Sequence, residues 1–240
     1  MVERRELPAT SEVPFIDLLR DTWPPFQEQW MVCTCCAAFL TYVPMFVVGI
    51  PACFVAFIIA AVVAIVNKEL VTIALLPIGL VAALLFAGAY NAVRAGWTKM
   101  LLQLARNEGR LTFADLKGGM PWFWDFFVTM LIIGLGTAFG TMLLVVPGIL
   151  FAVRSSLAPF LVIDENMSPM DAIAKSNELV TGYSWQILGY LLIMFFANTI
   201  ISFIPLVQFV ALPAAMAFLD LALTRIYLYR KQELKLLQDR

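Results

Sequence analysis

The sequence predicts an all-α integral membrane protein with four long transmembrane helices, some kinked or extending beyond the bilayer, and interfacial amphipathic helices. Of its 240 residues, 62% are hydrophobic and 14% are charged, whereas soluble domains are about 45–50% apolar and about 25% charged. Four stretches contain no charged residue, 30–66, 70–93, 126–153 and 185–219, and each is long enough to cross a bilayer. This composition excludes a soluble enzyme, a nucleic-acid-binding protein and a disordered chain.

Four uncharged runs give four crossings, and six result if the first and last runs are both split at their prolines. The distribution of basic residues decides between these two topologies. Four crossings place 13 of the 16 basic residues on one side and leave Lys68, Arg154 and Lys175 opposite. Six crossings leave only six on the first side. Because basic residues favour the cytoplasmic side, we predict spans near 30–66, 70–93, 122–153 and 185–222, with both termini in the cytoplasm.

The chain then divides into three parts. Residues 1–29 carry early charges that predict no signal peptide, and their mixed apolar and charged pattern predicts an interfacial amphipathic helix, broken near Pro24 and Pro25. Residues 30–225 form a single membrane domain, and residues 226–240 form a basic cytoplasmic tail.

The first and last apolar runs are too long for simple spans. Runs 30–66 and 185–219 contain 37 and 35 residues, so as helices they would be roughly 50–55 Å long, against a hydrocarbon core of about 30 Å. We expect the surplus to project beyond the far side of the bilayer, where kinks, re-entrant folding, subunit contacts or lipid would cover it. Whether these runs are continuous, kinked or re-entrant stays open.

The segment after the third run predicts a helix that starts at Ser168 and Pro169. A serine cap, a proline in the first turn and Asp171 at the third position favour a start here, and Gly182 ends the helix soon after Val180. In the four-span arrangement this helix lies opposite the cytoplasm. The acidic group around it is interpreted as solvated surface, because it lacks the loop pattern of a calcium site; its members are Asp164, Glu165, Asp171 and Glu178.

No catalytic, cofactor or metal site is predicted. The chain contains no histidine, which removes the commonest general base and metal ligand. Asp220 lies at the cytoplasmic end of a span, within reach of a basic partner such as Arg225. Asn198 and Gln208 are the most intramembrane polar residues, and interhelical hydrogen bonding is their commonest use. The clustered cysteines are interpreted as apolar filler, with acylation as the alternative: Cys33, Cys35 and Cys36.

Small and aromatic residues predict packing and depth. Gly136 and Gly140 have the four-residue spacing that lets two helices approach closely, and Gly134 precedes them. They serve either the fold of the monomer or contacts between subunits. Residues at run boundaries are predicted to contact lipid or the membrane interface: Trp30, Arg94, Trp97, Lys99, Trp122, Trp124 and Trp185.

The stretch 146–182 resembles a bacterial family. It combines Val-Pro-Gly-Ile-Leu at 146–150, Arg-Ser-Ser-Leu-Ala-Pro at 154–159, Asp164-Glu165 and the Ser168-Pro169 helix start. These motifs are similar to the membrane domain found beside glycerophosphodiester phosphodiesterases and to related multi-pass inner-membrane proteins. The resemblance implies a helical bundle in a bacterial inner membrane, and carries no catalytic residue over to this chain. Pro147 and Gly148 are expected to break the third helix near the outer surface.

These features favour a non-enzymatic membrane protein that forms a homo-oligomer and organises or encloses lipid, without a cofactor and without nucleic acid as a partner. The alternatives are a small-molecule or lipid transporter or pore, with Asn198 and Gln208 facing a cavity, and an accessory subunit of a membrane complex.

Overall fold

A computed structural model describes residues 15–44, 68–109, 111–203 and 208–238, with isolated positions at 50–51, 54–55, 57–58 and 61. All regular secondary structure in this part of the chain is helical, which confirms the all-α prediction. The helices are α1 (Phe15–Pro44), α2 (Lys68–Ala105), a 3-10 helix (Phe113–Trp122), α3 (Phe123–Leu143), α4 (Val145–Ser155), α5 (Ala158–Glu165), α6 (Pro169–Val180), α7 (Ser184–Ser202) and α8 (Gln208–Gln238).

Within the described residues, five segments are long and apolar enough to cross a membrane. They are Gly79–Ala105, Phe113–Leu143, Val145–Glu165, Ser184–Ser202 and Phe209–Leu237. The predicted four-span division therefore does not describe the helices, because two of the predicted spans each contain a reversal of the chain.

The first reversal divides the predicted span 122–153. Leu144 is extended (φ −157°, ψ 136°) and joins α3 to α4. The two helices then pack tightly along the glycines: a Cβ on Gly140 would lie 2.7 Å from the Cα of Gly148. At the other end of α3, Trp122 donates to the side chain of Asn166, which follows α5. The third run is thus an antiparallel hairpin, and the predicted single span is wrong.

The sequence suggested that Pro147 and Gly148 break the third helix. In the structure they do not. Pro147 is the third residue of α4, where the missing N–H and fixed φ of proline are tolerated. The reversal comes three residues earlier, and Gly148 instead provides the close approach to α3.

The second reversal divides the predicted span 185–222. The hydroxyl of Tyr190 on α7 donates to the carbonyl of Leu219 on α8. Tyr183, just before α7, donates to Glu233 near the end of α8 at 3.1 Å. The start of α7 therefore lies beside the later part of α8, as in an antiparallel pair. The apolar length of this run is therefore divided between two helices and is not one long span.

The amphipathic N-terminal part and residues 30–44 of the first apolar run form one element, α1, with a kink at Gln29 (φ −124°, ψ 20°). Most of the remainder of that run, and with it the predicted projection of the run, lies outside the described residues. The break predicted near Pro24 and Pro25 lies instead at Gln29, the last residue of the predicted amphipathic segment. The side-chain Oε1 of Gln29 accepts a hydrogen bond from the Leu111 amide at 2.8 Å. This bond ties the kink to the segment that precedes the 3-10 helix.

The helix predicted after Ser168 is confirmed as α6. The Ser168 hydroxyl accepts from the Asp171 amide at 3.4 Å, and α6 ends at Val180, two residues before Gly182 (φ +88°). Its N-terminal turn thus uses the serine cap that the sequence indicates.

Packing is concentrated at one end of the bundle. The largest fully buried side chains are found in α2, α5 and α8 and their neighbours, and include Trp97, Met100, Tyr190, Leu161 and Tyr227. At the opposite end the reversal between α3 and α4 is exposed and apolar, with Met142 at 87% and Leu143 at 80% exposure. Apolar surface of this kind is stable only in lipid or against another protein surface.

The α3–α4 contact makes a testable prediction about two glycines on one helix. In Gly140→Ala, the new methyl meets the Gly148 backbone, which cannot turn aside, so we expect a loss of about 1–3 kcal/mol. In Gly134→Ala, nothing lies within 4 Å of the new Cβ, and stability should be unchanged. Thermal unfolding of the purified variants in detergent measures the difference; equal midpoints would contradict the hairpin.

Candidate functional site: the charged end of the bundle

The best-built polar feature is a cluster around Asp164, at the end of α5. Its carboxylate accepts from the Tyr227 hydroxyl at 2.7 Å and from Lys231 at 2.5 Å, and it also pairs with Arg106. The Asp164 side chain is only 5% exposed. Lys231 reaches Glu165 as well, at 2.6 Å. One carboxylate thereby connects α8 and α5 to the residue that follows α2; we call this region the charged end.

This cluster overturns the predicted placement of the acidic residues. Asp164 and Glu165 were expected opposite the cytoplasm, whereas Arg106 and Lys231 were expected on the cytoplasmic side. Their direct contacts place all four on one side. The cause is the reversal at Leu144, which returns the chain to the side from which α3 starts.

Arg230 forms a second clamp at this end. Its side chain is 4% exposed, and its Nε donates to the Leu179 carbonyl at 3.0 Å. The same guanidinium pairs with Glu233 and lies 3.8 Å from the centroid of the Tyr183 ring. Burial first, and then the bond to Glu233, raise the pKa of Tyr183 above its ordinary value. Arg230 thus supplies donors to carbonyls at the end of α6, which the helix itself leaves without partners.

Asp220 joins α2 to α8 at a deeper position. It accepts from the indole of Trp97 at 2.9 Å and pairs with Arg94 at 3.5 Å. The predicted partner Arg225 is not the one used. Its Nε is instead buried without a hydrogen-bond partner in the described part of the chain.

The residues predicted to contact lipid therefore divide into two groups. Trp97 is 1% exposed, Arg94 pairs with Asp220, and Lys99 lies over the ring of Trp122 at 5.3 Å. Trp97 is therefore a packing residue and not a lipid contact, while Arg94 and Lys99 are half-buried and have partners within the fold. Trp30, Trp124 and Trp185 are 48%, 71% and 84% exposed, as an interface position requires. Trp122 is half-buried.

Two of the three predicted glycines are used inside the monomer. Gly136 packs against the ring of Phe151, and Gly140 against Gly148. Both are covered by α4 and so serve the fold of the monomer, which is one of the two uses that the sequence left open. Gly134 faces open space.

The intramembrane polar residues and the cysteines are only partly described. The Oδ1 atom of Asn198 is buried without a hydrogen-bond partner among the described residues, while the side chain of Gln208 lies outside them. Cys33 and Cys36 are buried and Cys35 is exposed. Burial of two of the three fits their interpretation as packing residues.

The buried carboxylates of this site are neutralised by the cationic side chains that they contact. Asp164 and Asp220 are each held by cationic side chains and by a hydroxyl or indole donor, so both carboxylates serve as acceptors that fix helices. No group of three His, Cys, Asp or Glu side chains that could hold a metal ion occurs in the parts of the chain that the structure describes.

Sequence reasoning did not find Tyr227, Arg230 and Lys231 as partners. Their spacing on α8 was visible, since they lie three and four residues apart and so project from the same region of a helix. What was missing was the partner, because Asp164 was placed on the wrong side of the membrane.

The chain was compared with protein-family models, with curated proteins and with solved structures, and none of the three comparisons found a match.

Proposed function

We propose that this chain is a non-enzymatic integral membrane protein that forms a homo-oligomer and organises lipid around its apolar helices. The observation that carries the proposal is an exposed apolar stripe along the entire length of α3. Its members recur every three or four residues and so form one face of the helix: Trp124, Val128, Leu131, Leu135, Phe139 and Met142.

A second exposed apolar surface lies on α7. Phe195 and Phe196 are 64% and 58% exposed, and Ile200 is 64% exposed. Because α4 already covers Gly136 and Gly140 of α3, these aromatic and aliphatic faces on α3 and α7 are available to lipid and to another copy of the chain. Rigid aromatic side chains suit both occupants.

The charge distribution supports an orientation with the charged end in the cytoplasm. Arg106, Arg230 and Lys231 lie together there, and the excess of basic residues favours that side. In this orientation we propose that both termini are cytoplasmic, and that the membrane is the bacterial inner membrane that the family resemblance implies.

The proposal predicts an oligomer that keeps phospholipid after purification. Native mass spectrometry of the full chain in mild detergent should show more than one copy with retained lipid. In a variant without native cysteines, Leu135→Cys on the stripe should cross-link between copies, whereas Met170→Cys, also exposed but outside the stripe, should not. A monomer that releases all its lipid and forms no cross-link at Leu135→Cys would overturn the proposal.

A transporter or pore is the alternative function, and the enclosed Oδ1 atom of Asn198 favours it. A buried amide oxygen without a hydrogen-bond partner among the described residues is costly unless water or a ligand binds it. Flux into liposomes that Asn198→Leu abolishes would replace the lipid-organising proposal by this one.

A further inference from the structure

A small pocket lies between α4 and α6, outside the clusters around Asp164 and Asp220. Its volume is about 230 Å³, and its exposed lining surface is mostly apolar, although three of the six lining side chains are polar. The lining residues are Phe151, Arg154, Ser155, Ile173, Ala174 and Asn177. The Ser155 hydroxyl already donates to the Phe151 carbonyl at 2.6 Å, so Arg154 and Asn177 are the groups left to recognise a polar ligand.

Arg154 differs from the arginines of the clusters around Asp164 and Asp220 and from Arg230. Arg94, Arg106 and Arg230 each pair with a carboxylate. Arg154 is exposed, and its guanidinium pairs with no carboxylate among the residues that the structure describes. A guanidinium beside apolar walls favours an anionic oxygen ligand, above all a phosphate, which it binds through two parallel hydrogen bonds.

The pocket is held in a fixed shape. The buried hydroxyl of Ser176 donates to the Arg154 carbonyl at 2.7 Å and accepts from the Leu157 amide at 3.2 Å. One side chain of α6 therefore fixes both the end of α4 and the break before α5. A preorganised site of this kind binds with a smaller loss of conformational entropy.

The position of Arg154 suits a lipid better than a soluble anion. Arg154 follows the reversal at Leu144 by a helical rise of about 15 Å, and the residues between them include Ile149 and Leu150, exposed at 40% and 43%. A ligand with its phosphate at Arg154 would lay its apolar part along this surface of α4.

We infer that the pocket between α4 and α6 binds the phosphate of a phospholipid through Arg154 and Asn177, with an acyl chain along α4. This inference rests on the lipid-binding part of the proposed function and names the site. It does not require the oligomer.

The test is lipid binding to the purified full chain, measured by native mass spectrometry during titration with phosphatidylglycerol. Arg154→Gln should weaken the tightest binding step about tenfold, as expected for the loss of a charge-assisted contact, and Arg154→Lys should retain part of it. Arg20→Gln removes one exposed positive charge on α1, away from the pocket, and should bind as the unmodified chain does. All variants should unfold at the same temperature, because Arg154 has no side-chain partner to lose in the part of the chain that the structure describes.

Two further ligands identify the chemistry. Diacylglycerol, which lacks the phosphate, should bind weakly and equally to the unmodified chain and to Arg154→Gln, and millimolar inorganic phosphate should not displace phosphatidylglycerol. Equal affinities in Arg154→Gln and Arg20→Gln, or displacement by inorganic phosphate, would overturn the inference. If the unmodified chain is monomeric but Arg154 controls lipid affinity, the oligomer fails and the site stands.

Discussion

Gly96→Ala is expected to have the largest effect of any single methyl group in the described part of the chain. Gly96 on α2 faces the 3-10 helix backbone to backbone: an added Cβ would lie 1.8 Å from the carbonyl oxygen of Leu116. On the facing side, a Cβ on Gly119 would lie 2.2 Å from the Gly96 nitrogen. Neither atom belongs to a side chain that can rotate away, so the 3-10 helix must move.

The expected loss is about 3 kcal/mol or more, at the upper end of what overpacking costs. For a chain of this size it lowers the unfolding midpoint by roughly 6–12 °C. Circular dichroism during heating in detergent measures it. Because the 3-10 helix carries Trp122 onto Asn166, displacing it should also change the tryptophan fluorescence of the folded state.

Two other glycines make this a graded series. A Cβ on Gly88, also on α2, meets nothing within 4 Å, and one on Gly118 meets only the flexible end of Lys99 at 3.0 Å. Gly88→Ala should therefore be neutral or stabilising by up to about 1 kcal/mol, and Gly118→Ala should fall between. If Gly96→Ala and Gly88→Ala unfold at the same temperature, the close packing of the 3-10 helix on α2 is incorrect.

The helices could be predicted from the sequence because apolar runs and polar interruptions are local properties. The amphipathic part of α1 and the start of α6 at Ser168 need only a pattern of residues close together in the chain. The charge-free run begins at residue 30, and α1 kinks at the residue before it, Gln29. Likewise, α6 has a serine cap before its first residue and a glycine soon after its last.

The reversal at Leu144 could not be located in the same way. Leucine is not a residue type that indicates a turn, whereas proline and glycine are. The break was therefore expected at the nearby Pro147 and Gly148. A better signal was the glycine spacing on both sides, since Gly140 and Gly148 provide matching close approaches only if the chain folds back between them.

That one reversal also decides the site. With a single span over 122–153, Asp164 falls on the far side and has no basic partner; with a hairpin, it returns to Arg106 and Lys231. Electrostatic partners are long-range consequences of topology, so an error of one crossing turned a buried ion cluster into apparently solvated surface. The same correction brings Arg154 to the pocket beside α6.

Asp164→Asn is the sharpest test of this corrected topology, and we expect it to destabilise the folded protein by about 2–3 kcal/mol. The substitution keeps the shape but removes the charge that holds Arg106 and Lys231, and contacts with charged partners are worth about 1.5–3 kcal/mol. Since those two cations are 35% and 34% exposed, water recovers part of the loss. The unfolding midpoint should fall by roughly 4–10 °C.

Glu178→Gln is the matched control, because it makes the same chemical change in an exposed pair with Lys175 on one helix. Such pairs contribute about 0.3–0.5 kcal/mol, so its midpoint should barely move. Lys231→Gln should lie between the two, since Asp164 then keeps Arg106 and Tyr227. In the double variant, Asp164→Asn with Lys231→Gln, the loss of stability should be smaller than the sum of the losses in the two single variants, as expected for side chains in direct contact. If Asp164→Asn is as mild as Glu178→Gln, or if the two losses simply add, Asp164 does not meet Lys231, and α5 would end on the opposite side of the membrane from the basic end of α8.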